Sequence, residues 1–263
     1  MAKQSMDKKM KISQSLMKDL QDYLNGEMCG LVFKARHVDH LQGETSEAML
    51  LGQYFEYIAT GQLPKYGNEP KPRLLKSGEL SEPFKKAHES ALYSKAIIQA
   101  LNIDIIHTGS DIEFGDMKGT LDIFAYWDGK PCIIDYKYSG LLDNKWDDRG
   151  WNLDTLSEKH KLMIQAVHYK YILEQIMSQE VDFYFFLFSS TTPSDVRVVK
   201  VIVDDLTTMR HLEDVKKATK IMETLLENNN FKARPSLQKC STCFLKETCS
   251  SRALLPTITT IYY

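Results

Sequence analysis

The sequence has no long apolar run, and this absence limits where the protein can reside. Its most apolar stretch, VDFYFFLF at residues 181–188, is far shorter than the roughly 20 residues that a membrane-spanning helix needs. The first residues, MAKQSMDKKMKIS, lack the apolar stretch of a signal peptide. The sequence therefore predicts a soluble, cytoplasmic protein that does not enter a membrane.

Net charge and cysteine are also scarce. A formal net charge of −2 gives no general attraction to nucleic acid, so any site for a polyanion must be a local basic or metal-containing patch. The 5 cysteines are expected to be metal ligands or core residues, because disulfides are rare in a reducing compartment. The 43% hydrophobic content is enough for a substantial core.

The hydrophobic pattern changes from helical spacing to alternation and back, which predicts a mixed α/β domain. No internal repeat is visible. The run at 181–188 is apolar on both faces and is therefore predicted to be a central strand. Helices are predicted over 11–25, 44–60, 82–101, 156–178 and 205–228, and strands over 103–114, 118–127, 131–139, 181–188 and 195–203.

Two aspartates are predicted to face each other on one hairpin. The dipeptide DG at residues 128–129 is typical of a two-residue turn, which would pair Trp127 with Lys130. Counting back along both strands then places Asp122 opposite Asp135. The alternating side chains on the other face are apolar and predict a packed core: Leu121, Ile123, Ala125, Cys132, Ile134 and Tyr136.

A bound cation would reduce the repulsion between the carboxylates on this polar face. Two carboxylates ~4 Å apart repel by roughly 4 kcal/mol at an effective dielectric constant of about 20, and Lys137, on the same face as Asp135, offsets this only in part. Oxygen ligands of this kind suit Mg²⁺ or Mn²⁺. The alternative is a solvated hairpin face with an ordinary Lys–Asp pair.

The segment Gly119-Thr-Leu-Asp122, followed by Asp135-Tyr-Lys137, resembles the signature of the PD-(D/E)XK nuclease superfamily. The resemblance implies a restriction-endonuclease-like mixed sheet core, αβββαβ, flanked by helices. It also implies that Asp122 and Asp135 bind a divalent metal, that Tyr136 contributes its backbone carbonyl, and that Lys137 is catalytic.

Two further motifs resemble those of RecB-type nucleases. Gln165 and Tyr169 share a helical face with Lys161, and Gln-x-x-x-Tyr resembles a motif that flanks the active site and helps to hold DNA. Gly52 to Glu56 resembles a Gly-x-x-x-His helix, with glutamate in place of the metal-binding histidine. Glu56 is therefore expected to be a metal ligand, and a solvated helix glutamate is the alternative.

Two tryptophans, Trp146 and Trp151, follow the predicted catalytic strand in LLDNKWDDRGWNLD. We expect them to contact DNA by stacking on unpaired bases. The alternative is that both pack beneath their own loop.

Four cysteines form a possible ligand set. Cys240, Cys243 and Cys249 have the spacing C-x2-C-x5-C, and Cys29 lies far upstream. Thiolate quartets bind [4Fe–4S] clusters or zinc. The arrangement is similar to that of AddB-type iron–sulfur nucleases and RecB-like CRISPR-associated nucleases, which implies a structural [4Fe–4S] cluster, with Zn²⁺ as the alternative.

The resemblance extends from Cys29 to Cys249. We expect the chain to divide into an N-terminal helical extension over 1–28, which the resemblance does not cover, and a nuclease core over 29–239. A cysteine segment over 240–263 is expected to pack with the N-terminal region.

The expected function is a Mg²⁺- or Mn²⁺-dependent DNA exonuclease acting on single-stranded ends in recombination, repair or end processing. No helicase motif is visible, so unwinding of duplex DNA would need a helicase or recombination partner. Two alternatives stay open at this point: a nuclease-like DNA-binding or assembly module, and a sequence-specific restriction endonuclease. Digestion polarity and oligomeric state are not predicted.

Overall fold

A computed structural model describes residues 10–41, 43, 45–64, 68–140, 142, 146, 147, 150, 151 and 156–252. The described residues form two compact units, one within 46–213 and the other made from those before 46 and after 213. The helices are α1 (Gln14–Leu24), α2 (Gly30–His37), α3 (Glu47–Thr60), α4 (Glu82–Ala100), α5 (Leu156–Met177), α6 (Asp205–Glu227) and α7 (Leu237–Ser241). The strands are β1 (Asp104–Phe114), β2 (Met117–Trp127), β3 (Lys130–Ser139), β4 (Trp146–Asp147), β5 (Gly150–Trp151), β6 (Asp182–Ser189) and β7 (Val196–Val201).

Local capping explains where the predicted helices begin and end. Ser13 caps α1 by accepting the Leu16 N–H at 3.2 Å, and Ser46 caps α3 by accepting the Met49 N–H at 3.2 Å. These serines occupy the N-cap, so each helix starts a few residues later than its apolar pattern suggests. Gly61 ends α3 in the left-handed conformation with φ 78°, which glycine adopts without strain.

The central sheet has the strand order β1-β2-β3-β6-β7. Strands β1, β2 and β3 are antiparallel neighbours, β3 and β6 are parallel, and β6 and β7 are antiparallel. The parallel step requires a crossover, and α5 lies in it. The prediction of a central apolar strand is confirmed, since β6 lies between two strands and its fully buried side chains are Phe183, Phe185, Phe186, Leu187 and Phe188.

The hairpin of β2 and β3 has the predicted turn and register. Trp127 pairs with Lys130, and the residues of the DG turn have φ values of 50° and 75°. Both positive values are those of the turn type that follows the twist of a hairpin. The predicted core face is buried and packs against α3 and α4, with Phe55 and Phe84 at the centre of the cluster.

The second unit joins α1 and α2 to the chain after α6. The Gly30 N–H donates to the carbonyl of Lys232 at 2.9 Å, and the Lys232 N–H donates to the Tyr23 hydroxyl at 3.2 Å. A Cβ at Gly30 would lie 2.5 Å from the Lys232 carbonyl oxygen, so this contact requires glycine. The short helices α2 and α7 were not predicted from the sequence.

None of the helices among the described residues has the length and apolarity that crossing a membrane requires.

Candidate active site

Asp135 lies on β3 and is only 1% exposed. One carboxylate oxygen forms an ion pair with the Lys137 ammonium, two residues along the same strand. The other oxygen accepts a hydrogen bond from the side-chain amide of Gln165 on α5. Strand alternation brings the lysine to the face of Asp135, while Gln165 comes from the helix that covers this face.

Asp122 takes part in the backbone hydrogen bonding of the hairpin through its side chain. Its Oδ2 accepts the Tyr136 N–H at 2.8 Å. The regular pairing of β2 with β3 ends at Ile123 and Ile134, one step before the two aspartates. In a regular antiparallel pair, the Tyr136 N–H would donate to a backbone carbonyl of β2. Here the Asp122 carboxylate accepts this hydrogen bond instead.

The carboxylates are close enough to change one another's ionisation. Burial, together with the charges of Asp135 and Glu56, raises the pKa of Asp122 well above its usual range. Lys137 and the Tyr136 N–H oppose this rise in pKa without cancelling it. Asp122 and Asp135 lie on neighbouring strands, and the Asp122 carboxylate accepts the N–H of the residue that follows Asp135. Their placement directly opposite each other stays a prediction.

Glu56, on α3, belongs to the same charge cluster. Burial and then the charge of Asp135 raise its pKa, and Lys137 acts to lower it. Burial alone would lower the pKa of Lys137, but Asp135, Asp122 and Glu56 outweigh it and raise that pKa. The lysine is thus an ammonium at neutral pH and faces three acidic side chains.

The two sequence motifs touch through Gly119 and Tyr169. A Cβ at Gly119 would lie 2.5 Å from Cε1 of the Tyr169 ring, so the first motif needs glycine to accommodate the tyrosine on α5. Tyr169 is 6% exposed and Gln165 is 7% exposed. In this arrangement both residues of the Gln-x-x-x-Tyr motif contact other active-site residues; their predicted role in holding DNA is not tested by these contacts.

Other predicted DNA contacts fall outside the described side chains. The backbones of Trp146 and Trp151 pair with each other across β4 and β5, but their side chains, like that of Lys161, lie outside the described part of the chain. A Cβ added at Gly52 would have nothing within 4 Å of it. The glycine of the Gly-x-x-x-Glu segment therefore has no steric role among the described residues.

The chemistry of the donor set fits a divalent metal ion. Three carboxyl groups and one ammonium leave an excess of negative charge when all are ionised, and hard oxygen donors are the preferred ligands of Mg²⁺ and Mn²⁺. Within the described ranges, no group of three or more His, Cys, Asp or Glu side chains is arranged to hold a metal ion. Instead, the Lys137 ammonium lies against the carboxylate of Asp135.

The four predicted cysteine ligands line one cavity of about 40 Å³ in the second unit. Cys29 is brought there by the close contact at Gly30, and its Sγ accepts the Arg234 N–H at 3.3 Å. The thiols are partly exposed. The basic residues lining the cavity are Arg234, Lys239, Lys246 and Arg252, and no acidic residue of the described chain lines it. Basic neighbours would suit an anionic thiolate–metal group, but in the described part of the chain these thiols are not arranged to hold a metal ion.

Cys132 differs from these four cysteines. It is fully buried in the hairpin core, as its alternation on β3 predicted. Burial raises the pKa of its thiol to about 12, so it behaves as a small apolar side chain.

The sequence analysis missed two buried histidines beside the candidate active site. His168 lies on α5 between Gln165 and Tyr169, and His211 lies on α6. The position of His168 between two motif residues was a visible signal. His211 has no sequence signal, since its partner is 43 residues away.

A mixed sheet with an acid pair and a lysine on adjacent strands defines the class of PD-(D/E)XK-like domains. The chain belongs to one family of this class: residues 13–246 match the family described as a PDDEXK-like domain of unknown function (DUF3799). The predicted superfamily is thereby confirmed. The AddB-like iron–sulfur subtype stays a prediction.

Solved structures include proteins of similar fold. A crystal structure from Eubacterium rectale, of a protein provisionally named an exonuclease, is similar with a TM-score of 0.66 and 21% identity, over 95% of this chain and 91% of that chain. A phage-related exonuclease from Haemophilus somnus 129PT has a TM-score of 0.45 and 14% identity, over 85% of this chain and 98% of that chain. No protein with curated annotation matches the sequence.

Proposed function

We propose that this protein is a divalent-metal-dependent deoxyribonuclease that hydrolyses phosphodiester bonds. The observation that carries the proposal is the contact of the Asp135 carboxylate with the Lys137 ammonium and the Gln165 amide, beside Asp122 on the neighbouring strand. Membership of a PDDEXK-like family supports it. So does the exonuclease name given to the similar Eubacterium rectale protein.

In this proposal Asp122, Asp135 and the Tyr136 carbonyl bind Mg²⁺ or Mn²⁺, and Glu56 is a further ligand. Such a cation would neutralise the carboxylates and polarise the scissile phosphodiester. Lys137 has a flexible stem and is 31% exposed. Its ammonium would hydrogen-bond a phosphate oxygen and stabilise the charge that develops during hydrolysis.

The expected substrate is a single-stranded DNA end, processed in recombination, repair or end trimming, with a helicase or recombination protein as partner where duplex must be unwound. Trp146, Trp151 and Lys161 are proposed to contact this strand. We also propose that Cys29 and the three C-terminal cysteines hold a structural [4Fe–4S] cluster. The support is that all four line one cavity.

Digestion of end-labelled DNA tests the proposed activity. Single- and double-stranded substrates labelled at the 5′ or 3′ end are incubated with Mg²⁺, Mn²⁺ or EDTA. We expect metal-dependent degradation that falls about 100-fold or more in Lys137→Ala, the size of effect seen when one stabilising group is removed from a transition state. Lys130→Ala, an exposed lysine at the hairpin turn, is the matched control and should retain activity.

Three other results would contradict the catalytic assignment or favour a different function. Equal activity of Lys137→Ala and the wild type would refute the catalytic assignment. Tight DNA binding without turnover in any divalent ion would favour the DNA-binding module. Cleavage of closed circular duplex at fixed sites would favour a restriction endonuclease.

A further inference from the structure

His168 and His211 form a buried hydrogen-bonded pair. His168 is 0% exposed and His211 is 6% exposed. Nδ1 of His168 lies 3.0 Å from Nε2 of His211, and the rings are nearly perpendicular, at 85°. Nε2 of His168 lies 3.1 Å from the carbonyl oxygen of Lys118 on β2.

The direction of these hydrogen bonds follows from the groups involved. The Lys118 carbonyl can only accept, so Nε2 of His168 is the donor. In neutral His168 the other nitrogen, Nδ1, then accepts from Nε2–H of His211. A directed chain of hydrogen bonds therefore runs from α6, through α5, to β2.

The hydrogen bonds of the histidine pair lie next to both motifs of the candidate active site. Lys118 immediately precedes Gly119, against which the Tyr169 ring packs. On α5, Tyr169 follows His168, and Gln165 lies three residues before His168, where its amide bonds Asp135. The hydrogen bond from His168 to the Lys118 carbonyl thus fixes the helix on the strand at the level where Gln165 must reach Asp135.

We propose that His168 and His211 are positioning residues of the active site. They hold α5 against β2, so that the Gln165 amide orients the carboxylate of Asp135 for metal binding. This inference rests on the proposed nuclease function. It assigns to the histidine pair an effect on turnover and metal affinity, in addition to an effect on stability.

Variants of His168 separate positioning from packing. His168→Leu removes both hydrogen bonds, whereas His168→Gln retains one donor and one acceptor near the same places. We expect His168→Leu to lower kcat about 10- to 100-fold, as small displacements of catalytic groups do. It should also weaken the binding of Mn²⁺ to the protein without DNA, measured from the electron paramagnetic resonance signal of free Mn²⁺, with the KM for DNA unchanged. His168→Gln should restore most of the kcat, and His211→Leu should resemble His168→Leu.

Stability is controlled with Leu16→Ala, a core substitution on α1 in the second unit, which contains none of the proposed active-site residues. All proteins are assayed well below their own Tm. Leu16→Ala should lower Tm and leave the Mn²⁺ binding unchanged.

Three results would contradict the inference, and the third differs from the first two because it also overturns the proposed function. A wild type that degrades DNA, with His168→Leu equal to it in kcat and Mn²⁺ binding, would overturn the positioning role alone. An equal loss in His168→Leu and His168→Gln would also overturn it, because the hydrogen bonds would then be irrelevant. A wild type without turnover would overturn the proposed function, and the positioning role with it.

Discussion

Asp122 lies where the ionised form of its carboxylate is unfavourable. Its side chain is only partly exposed, and this burial and two other acidic side chains raise its pKa, so the proton is held more tightly in the folded protein than in the unfolded chain. By linkage, a raised pKa gives stability that is present at low pH and is lost as pH rises through the folded pKa. The ionised aspartate therefore destabilises the protein at neutral pH unless a cation is bound.

Replacing Asp122 with asparagine should stabilise the fold in a chelating buffer. The asparagine side chain can still accept the Tyr136 N–H but carries no charge, so the Asp122→Asn variant should have the higher Tm near pH 7. A gain of about 1 kcal/mol would raise Tm by roughly 2–4 °C in a chain of this size. At low pH, where the carboxyl is protonated in both the folded and the unfolded state, the two proteins should unfold at similar temperatures.

Thermal unfolding at several pH values in EDTA measures this difference directly. Adding Mn²⁺ should then raise the Tm of the wild type more than that of Asp122→Asn, since a ligand stabilises the state that binds it. A wild type that is the more stable protein at pH 7 in EDTA would contradict the electrostatic account.

The close contact between β2 and α5 at the candidate active site depends on Gly119. β2 and α5 can approach at Gly119 because a hydrogen replaces the Cβ that would clash with Tyr169. A Cβ added at Gly52 in α3 would have no atom within 4 Å of it. The two glycines are therefore a matched pair, one required by packing and one not.

Gly119→Ala should lower stability and DNA degradation together, because the methyl group must push α5 away from the hairpin. We expect a loss of roughly 1–3 kcal/mol, typical of an overpacked core. Gly52→Ala should instead be neutral or stabilising, by about 0.5–1 kcal/mol, because alanine is the better helix former. Urea unfolding of both variants gives the two free energies. Equal losses would contradict the packing difference.

At the scale of elements, the sequence predicted the hairpin well. The Asp128–Gly129 turn set the register, and alternation then placed Asp135 and Lys137 on one face. The helix α2 was missed because its eight residues, GLVFKARH, are too few to show a clear period. Its place depends on contacts with residues near 231, about two hundred positions away, which no local pattern contains.

At the scale of the whole molecule, the four cysteines come from distant parts of the chain. Their spacing predicted a shared site, and the four do line one cavity. The sequence could not predict how Cys29 arrives there, since this depends on the contact of Gly30 with Lys232. Nor could it predict the histidine pair, because His211 is ordinary in its own helix.

Purification without oxygen should give brown protein with broad visible absorption. Cys240→Ser should lose the iron and unfold at a lower temperature, because the proposed cluster would close a long loop of the chain. Cys132→Ala is the matched control: it removes a cysteine in the sheet core and should keep the iron. Iron and zinc analysis checks both variants. Colourless wild-type protein with stoichiometric zinc would contradict the iron assignment.

The central claim is that buried acidic side chains on the hairpin hold a divalent cation. Its most direct test is a crystal soaked in Mn²⁺ and measured at the manganese absorption edge. The account predicts an anomalous peak between the carboxylates of Asp122 and Asp135, with the Lys137 ammonium displaced from Asp135. No peak there at saturating Mn²⁺, with the ion pair intact, would contradict it.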